Sequence, residues 1–128
     1  MTTRVHILVS LAALFVIGGS ARFAYCAERL RSPEYLRSLY AATNRQYFNG
    51  DLPDARIEFG DLADENAMAH TTREGEQFVI VIDRKWNGSE DQVRANLDHE
   101  MCHVQTFSDA EEFDFHGPEW QACIRRFN

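Results

Sequence analysis

The five residues His99-Glu100-Met101-Cys102-His103 decide how the rest of this chain is interpreted. Because an α-helix advances about 100° per residue, two histidines four positions apart lie about 40° apart around its axis and one turn apart along it. Two imidazoles placed in this way can reach one metal ion. A glutamate directly after the first histidine can take a proton from a water molecule at that ion. The stretch therefore predicts a helix with a metal-binding face.

The apolar residues near this stretch fall on another side of the predicted helix. With His99 taken as zero, four of them cluster between about 120° and 200°. They are Val93, Leu97, Met101 and Val104. A histidine on an apolar stripe is usually an ordinary core residue, but both histidines here lie off the stripe. Glu100 projects at about 100°, on the rim between the two faces.

A third metal ligand is expected further along the chain, because a catalytic zinc ion takes three protein ligands and leaves its fourth position to water. His116 is the only histidine after the motif. Gly117 lets the backbone pass close to the site, and Pro118 starts a helix that can place Trp120 beneath it. Four acidic residues of the intervening loop are alternatives, although a solvated loop also explains them. They are Asp109, Glu111, Glu112 and Asp114.

Local signals predict helices around a small mixed sheet. Ser32-Pro33-Glu34 starts a first helix, and Asn49-Gly50 ends it. Ser89 to Gln92 is a capping box that opens the motif helix, which is expected to run to about Phe107. The last helix follows Pro118. Strands are predicted at 56–59 and 77–83, and a weaker one at 67–73. The strand at 77–83 is expected to be buried on both faces. A hairpin turn at 74–76 is predicted to join it to the weaker strand.

Residues 1–27 have the layout of a secretory signal peptide. Arg4 precedes an apolar run from Val5 to about Gly19, which is shorter than the roughly 20 residues of a spanning helix. Small residues near 19–21 and 24–26 offer two cleavage points, so the cleavage site stays open. An uncleaved membrane anchor and a lipidated Cys26 are the alternatives. The prediction is an exported chain whose body, residues 28–128, forms one domain.

Charge and cysteine content narrow the possible functions. The formal net charge is −7, which argues against binding a phosphate backbone as the main task. The body contains two cysteines, Cys102 and Cys123. They could pair in an oxidising compartment, but Cys102 lies inside the histidine motif and is expected to fill space as a small apolar residue.

Three stretches of this sequence, "NRQYFNGDLPDARIEFG", "HEMCH" and "HGPEW", resemble in that order the SprT-like family of zincin metalloproteases. The similarity covers roughly Pro33 to Phe127. It implies a zincin-like α+β domain in which helices flank a small sheet and the HExxH helix lies across it. It also implies one zinc ion per chain, bound by His99, His103 and His116.

The resemblance implies that Glu100 is the catalytic residue of a zinc-dependent endopeptidase acting on proteins or peptides. In the family, a cysteine or apolar residue commonly fills the place of Cys102, which favours packing over a disulfide. We expect the substrate to lie extended along an exposed strand edge, with residues 67–73 as the candidate. His70 on that strand could help to hold a substrate or an oxyanion, but it is expected to be an exposed histidine without such a role.

The expected partners follow from the same observations. We predict a monomer with no nucleic-acid partner and no membrane contact beyond the leader. Two alternatives remain at this point. One is an exported zincin scaffold that serves as a non-catalytic binding module, for which Glu100 would have no use. The other is a DNA-associated protease, which the acidic balance and the leader oppose.

Overall fold

The computed structural model describes residues 28, 29, 31–108 and 115–128. The predicted leader, residues 1–27, and the four acidic alternatives for the third ligand lie outside these residues, so export of the chain stays a prediction. Among the described helices, none has the length and apolar character needed to cross a membrane.

The first helix, α1, spans Pro33–Tyr47 and begins and ends where its local signals predict. The Ser32 hydroxyl accepts a hydrogen bond from the Tyr35 backbone N–H at 3.1 Å, which satisfies one of the free donors of the first turn. Beyond the helix, Asn49 and Gly50 have φ angles of 57° and 80°, in the left-handed region that stops a helix.

The sheet is three-stranded and mixed, as predicted. Strand β1 spans Ala55–Gly60, β2 spans Ala69–Glu74 and β3 spans Gln77–Asp83. The strand order is β1-β3-β2, with β1 parallel and β2 antiparallel to β3. A tight turn containing Gly75, at a φ of 64°, joins β2 to β3 and confirms the predicted hairpin. The apolar β3 is therefore the central strand, and β2 forms one edge.

The motif helix, α2, spans Glu90–Thr106 and opens with the predicted capping box between Ser89 and Gln92. It packs against β2 and β3. Its predicted apolar stripe is confirmed, because all four residues named above are at most 5% exposed. The last helix, α3, spans Pro118–Ile124 and packs against α2. A 3₁₀ turn, Arg125–Phe127, follows it.

The core lies between the sheet and the helices. It joins Leu36 and Leu39 of α1 to Ile80 and Ile82 of β3 and to the apolar stripe of α2. Three helices thus flank a small three-stranded sheet, and the predicted α+β fold is confirmed.

One expectation about the core is wrong. Cys102 and Cys123 form a disulfide, with their Cα atoms 5.7 Å apart. Both residues are almost completely buried, at 0% and 1% exposure. The bond forms because α3 packs across the C-terminal half of α2 and turns Cys123 toward Cys102. Cys102 is therefore a covalent link between two helices as well as a residue that fills space.

Candidate metal centre

Three histidines from two separate segments meet at one point. The Nε2 atom of His99 lies 3.2 Å from Nε2 of His103 and 3.3 Å from Nε2 of His116. One ring nitrogen from each of the three lies within 4.8 Å of those of the other two. The first two histidines come from α2, one turn apart, and the third lies just before α3. The structure therefore brings together the three histidines that the sequence singled out.

The distances between these nitrogens fit a tetrahedral metal ion. Metal–nitrogen bonds of about 2.0–2.1 Å in a tetrahedron place neighbouring ligand atoms about 3.3–3.4 Å apart. The two Nε2–Nε2 distances that involve His99 lie at or close to this value. The spacing of His99 from each of the other two histidines therefore fits two ligands of one ion, and the three histidines could hold such an ion together.

Trp120 of α3 packs against all three rings. Its ring centroid lies 4.6 Å from that of His99, 5.6 Å from that of His103 and 4.5 Å from that of His116. Trp120 is itself 8% exposed. The prediction that Pro118 starts a helix with a tryptophan beneath the site is therefore confirmed. The buried indole limits how far the three imidazoles can turn away from one another.

Burial keeps two of the imidazoles neutral. Loss of hydration, and then the neighbouring His99 and His116, lower the pKa of His103 to about 4. Burial, and then His116, also lowers the pKa of His99. A neutral imidazole keeps the lone pair with which it binds a metal. Among the described residues, the other ring nitrogen of His103, Nδ1, is buried without a hydrogen-bond partner.

Glu100 is more buried than the helical angles predict. The helical angles place it between the histidine face and the apolar stripe, but they do not predict that its side chain is only 4% exposed. The edge strand β2 covers it, and the Thr71 hydroxyl donates a hydrogen bond of 2.7 Å to Oε2 of Glu100. Burial raises the pKa of Glu100 to about 7, while the Thr71 hydrogen bond and the charge of His70 act in the opposite direction.

The site opens into a cavity of about 460 Å³. The three histidines and Glu100 form one part of its lining. Residues 69–71 of β2 form another, and the rest comes from Phe107 and Phe115. A metal centre, a carboxylate and a strand edge thus face the same space.

Comparison with protein families identifies the family of this chain. The model of the SprT-like family matches residues 36–128, which include all of the candidate site residues. The chain belongs to the SprT-like family. No curated protein matches the chain closely enough to add a relative to this comparison.

In this SprT-like domain, the structure also adds residues that sequence reasoning missed. Thr71, Phe107 and Phe115 line the cavity, and none of them belongs to a motif. The expectation that His70 is a plain exposed histidine is wrong, since it is partly buried, lines the cavity and pairs with Glu65. The predicted edge strand at 67–73 was the one signal for Thr71 and His70, because both lie on it. Nothing in the sequence says which helix that strand covers.

Proposed function

We propose that this SprT-like protein is a zinc-dependent endopeptidase. The observation that carries the proposal is the convergence of three histidine Nε2 atoms beside a buried glutamate in one open cavity. Membership of the SprT-like family is compatible with this activity. The binding-module alternative offers no reason to bury a carboxylate next to a metal site.

We propose zinc as the metal and His99, His103 and His116 as its ligands. Three imidazole ligands with a fourth position left to water are a typical donor set for catalytic zinc. When bound, zinc would polarise the scissile carbonyl and lower the pKa of a water molecule to about 7. Successive turns of α2 hold His99 and His103, and Trp120 packs against the rings of all three histidines.

Glu100 would move the protons of the reaction. Its carboxylate would accept a proton from the attacking water and pass it to the amine of the departing peptide. The side chain is placed for this role because it lines the same cavity as the three histidines. Its burial excludes bulk water, which would otherwise compete for the proton.

The substrate would bind as an extended strand along β2. Among the described strands, β2 pairs only with β3, so its other edge is open to a peptide. Residues 69–71 of that strand line the cavity. Backbone hydrogen bonds along such an edge hold a peptide regardless of its sequence. Phe107 and Phe115 add apolar walls that favour an apolar side chain near the cleaved bond.

Metal content and cleavage, measured side by side on the full chain, test the proposal. Elemental analysis is expected to give about one zinc per chain for the wild type and for Glu100→Gln, and much less for His116→Ala. Cleavage of fluorescein-labelled casein is expected in the wild type alone, because Glu100→Gln keeps the ligands and removes the base. Glu58→Gln is the matched control, since Glu58 lies exposed on β1 at the opposite edge of the sheet.

Two results would contradict the proposal. Full activity of Glu100→Gln would mean that another group moves the protons. A wild type that binds zinc but cleaves nothing would favour the binding module instead. In either case the Glu58→Gln control must behave like the wild type, which separates loss of the reaction from a general effect of removing a carboxylate.

A further inference from the structure

Glu100 and Thr71 form a contact between the motif helix and the edge strand. The two residues are 29 positions apart in sequence, and the Thr71 hydroxyl oxygen lies 2.7 Å from Glu100 Oε2. The same hydroxyl lies 3.3 Å from the Glu100 backbone carbonyl oxygen. A hydroxyl has one proton to donate, and the shorter distance identifies the carboxylate oxygen as its acceptor. Among the described residues, no cationic side chain forms an ion pair with Glu100.

Thr71 is itself held in a fixed place. It lies in the middle of β2, opposite Ile80 of the central strand, and Ile80 is completely buried. As a β-branched residue, threonine has restricted rotation about χ1. The hydroxyl is therefore presented to Glu100 by a rigid support, and it engages one of the two carboxylate oxygens. The other, Oε1, stays available for a water molecule in the cavity.

We propose that Thr71 is a positioning residue that orients the Glu100 carboxylate toward the reacting water. The proposal deepens the proposed peptidase function and rests on it. Because Thr71 also lies on the strand edge along which the substrate would bind, it links the place of substrate binding to the residue that moves the proton. A shift of a catalytic group by about 1 Å can lower a rate by roughly 100-fold.

Replacing the hydroxyl while keeping the shape of the side chain tests the proposal in the full chain. Thr71→Val is expected to lower kcat by roughly 10- to 100-fold, the range for losing a hydrogen bond to a charged group. KM should change less than about threefold and the zinc content should stay near one per chain, because neither β2 backbone nor ligand is altered. Thr71→Ser, which keeps the hydroxyl, is expected to restore most of kcat.

The matched control is Thr43→Val in α1. Thr43 is a buried threonine, 3% exposed, that does not line the cavity, and its replacement should leave kcat unchanged. An unchanged kcat in Thr71→Val would overturn the proposal. So would a loss confined to KM, or a Thr71→Ser variant as slow as Thr71→Val.

A second measurement keeps the inference separate from the proposed function. In a double-mutant cycle on thermal unfolding, Thr71→Val should lower Tm more in the wild-type background than in Glu100→Ala, because the second background lacks the partner. Equal shifts would mean that the two side chains do not interact and would refute the positioning role. If the cycle shows coupling but the wild type cleaves nothing, the peptidase proposal fails while the contact stands.

Discussion

At the scale of single residues, two side chains of α1 hold the loop that leads into the sheet. The Tyr40 hydroxyl donates a hydrogen bond of 2.7 Å to the carbonyl oxygen of Pro53. The Asn44 amide both donates to and accepts from the backbone of Leu52, at 3.0 and 3.1 Å. Asn44 therefore holds the loop after α1 against the helix. These bonds fix where β1 begins and so fix the register of the sheet.

Tyr40 gives this loop a testable dependence on pH. Burial, and to a smaller extent the Asp54 carboxylate, raises the pKa of Tyr40 to about 12 from its ordinary value of 10.0. The phenol of the unfolded chain therefore ionises first as the pH rises. The stability that Tyr40 contributes is fully present below pH 10 and is lost as the pH rises to about 12. At pH 11 the free energy of unfolding is expected to be lower by about 1 kcal/mol for this reason.

Urea denaturation at pH 8 and pH 11 checks this dependence. Tyr40→Phe is expected to be less stable than the wild type at pH 8 by about 1 kcal/mol, because it lacks the hydrogen bond to Pro53. Between pH 8 and pH 11 it should lose less stability than the wild type. Tyr47→Phe, on the exposed side of the same helix, is the control and should follow the wild type. Equal alkaline losses for Tyr40→Phe and the wild type would show that Tyr40 does not carry the effect.

At the scale of elements, the disulfide ties α2 to α3. The helix α3 has seven residues, too few to be stable alone. Its partners are Cys102 of α2, through the disulfide, and the three histidine rings, through Trp120. The chain between the two cysteines includes His103 and His116. The bond therefore constrains the segment that carries the third proposed ligand.

Removing the disulfide is expected to weaken both the fold and the metal site. A closed loop of 21 residues corresponds to about 3 kcal/mol of stability in the chain-entropy model. The double variant Cys102→Ala/Cys123→Ala should show a loss of this size in urea denaturation. It should also release zinc faster to a chromogenic chelator than the wild type does. Adding the thiol-free reductant tris(2-carboxyethyl)phosphine to the wild type should reproduce both effects and should leave the double variant unchanged.

An unchanged rate of zinc release in the double variant would show that His116 is held by other contacts. A drop in stability without a change in zinc release would mean that the disulfide stabilises the fold but does not hold His116 in place. Both measurements are needed, because the stability of the domain and the placement of His116 can respond separately.

The sequence predicts those parts of the elements that depend on neighbouring residues. Ser32, Ser89 and Gly75 act within a few positions of the chain, and the structure confirms the helix starts and the hairpin turn. The positions of Glu100 and Cys123 depend on distant segments. Helical angles give the direction in which Glu100 projects but not that β2 covers it. The pairing of the cysteines likewise follows from how α3 packs on α2, which no local signal contains.

At the scale of the whole molecule, the candidate site joins three distant parts of the chain. The strand β2 covers Glu100, α2 carries two of the histidines, and the segment before α3 carries His116. A metal ion held by the three histidines would link the last of these parts to the body of the fold. Because such an ion binds the folded state and not a preformed site in the unfolded chain, its binding free energy adds to the stability of the domain.

Metal removal is therefore expected to lower the stability of the entire domain. With free zinc at about 100 times the dissociation constant, binding contributes about 2.7 kcal/mol, and each kcal/mol shifts Tm by roughly 4–8 °C in a domain of this size. Excess EDTA should lower Tm of the wild type by about 10 °C or more. Glu100→Gln should respond in the same way, because it keeps all three histidines.

His116→Ala provides the test of this linkage. It should have a low Tm without EDTA and should show no further drop when EDTA is added, since it lacks one ligand. Restoring zinc should raise Tm of the wild type and leave that of His116→Ala unchanged. A wild type whose Tm does not respond to EDTA or zinc would show that the three histidines contribute no metal-dependent stability, and it would weaken the case for a zinc centre irrespective of any assay of cleavage.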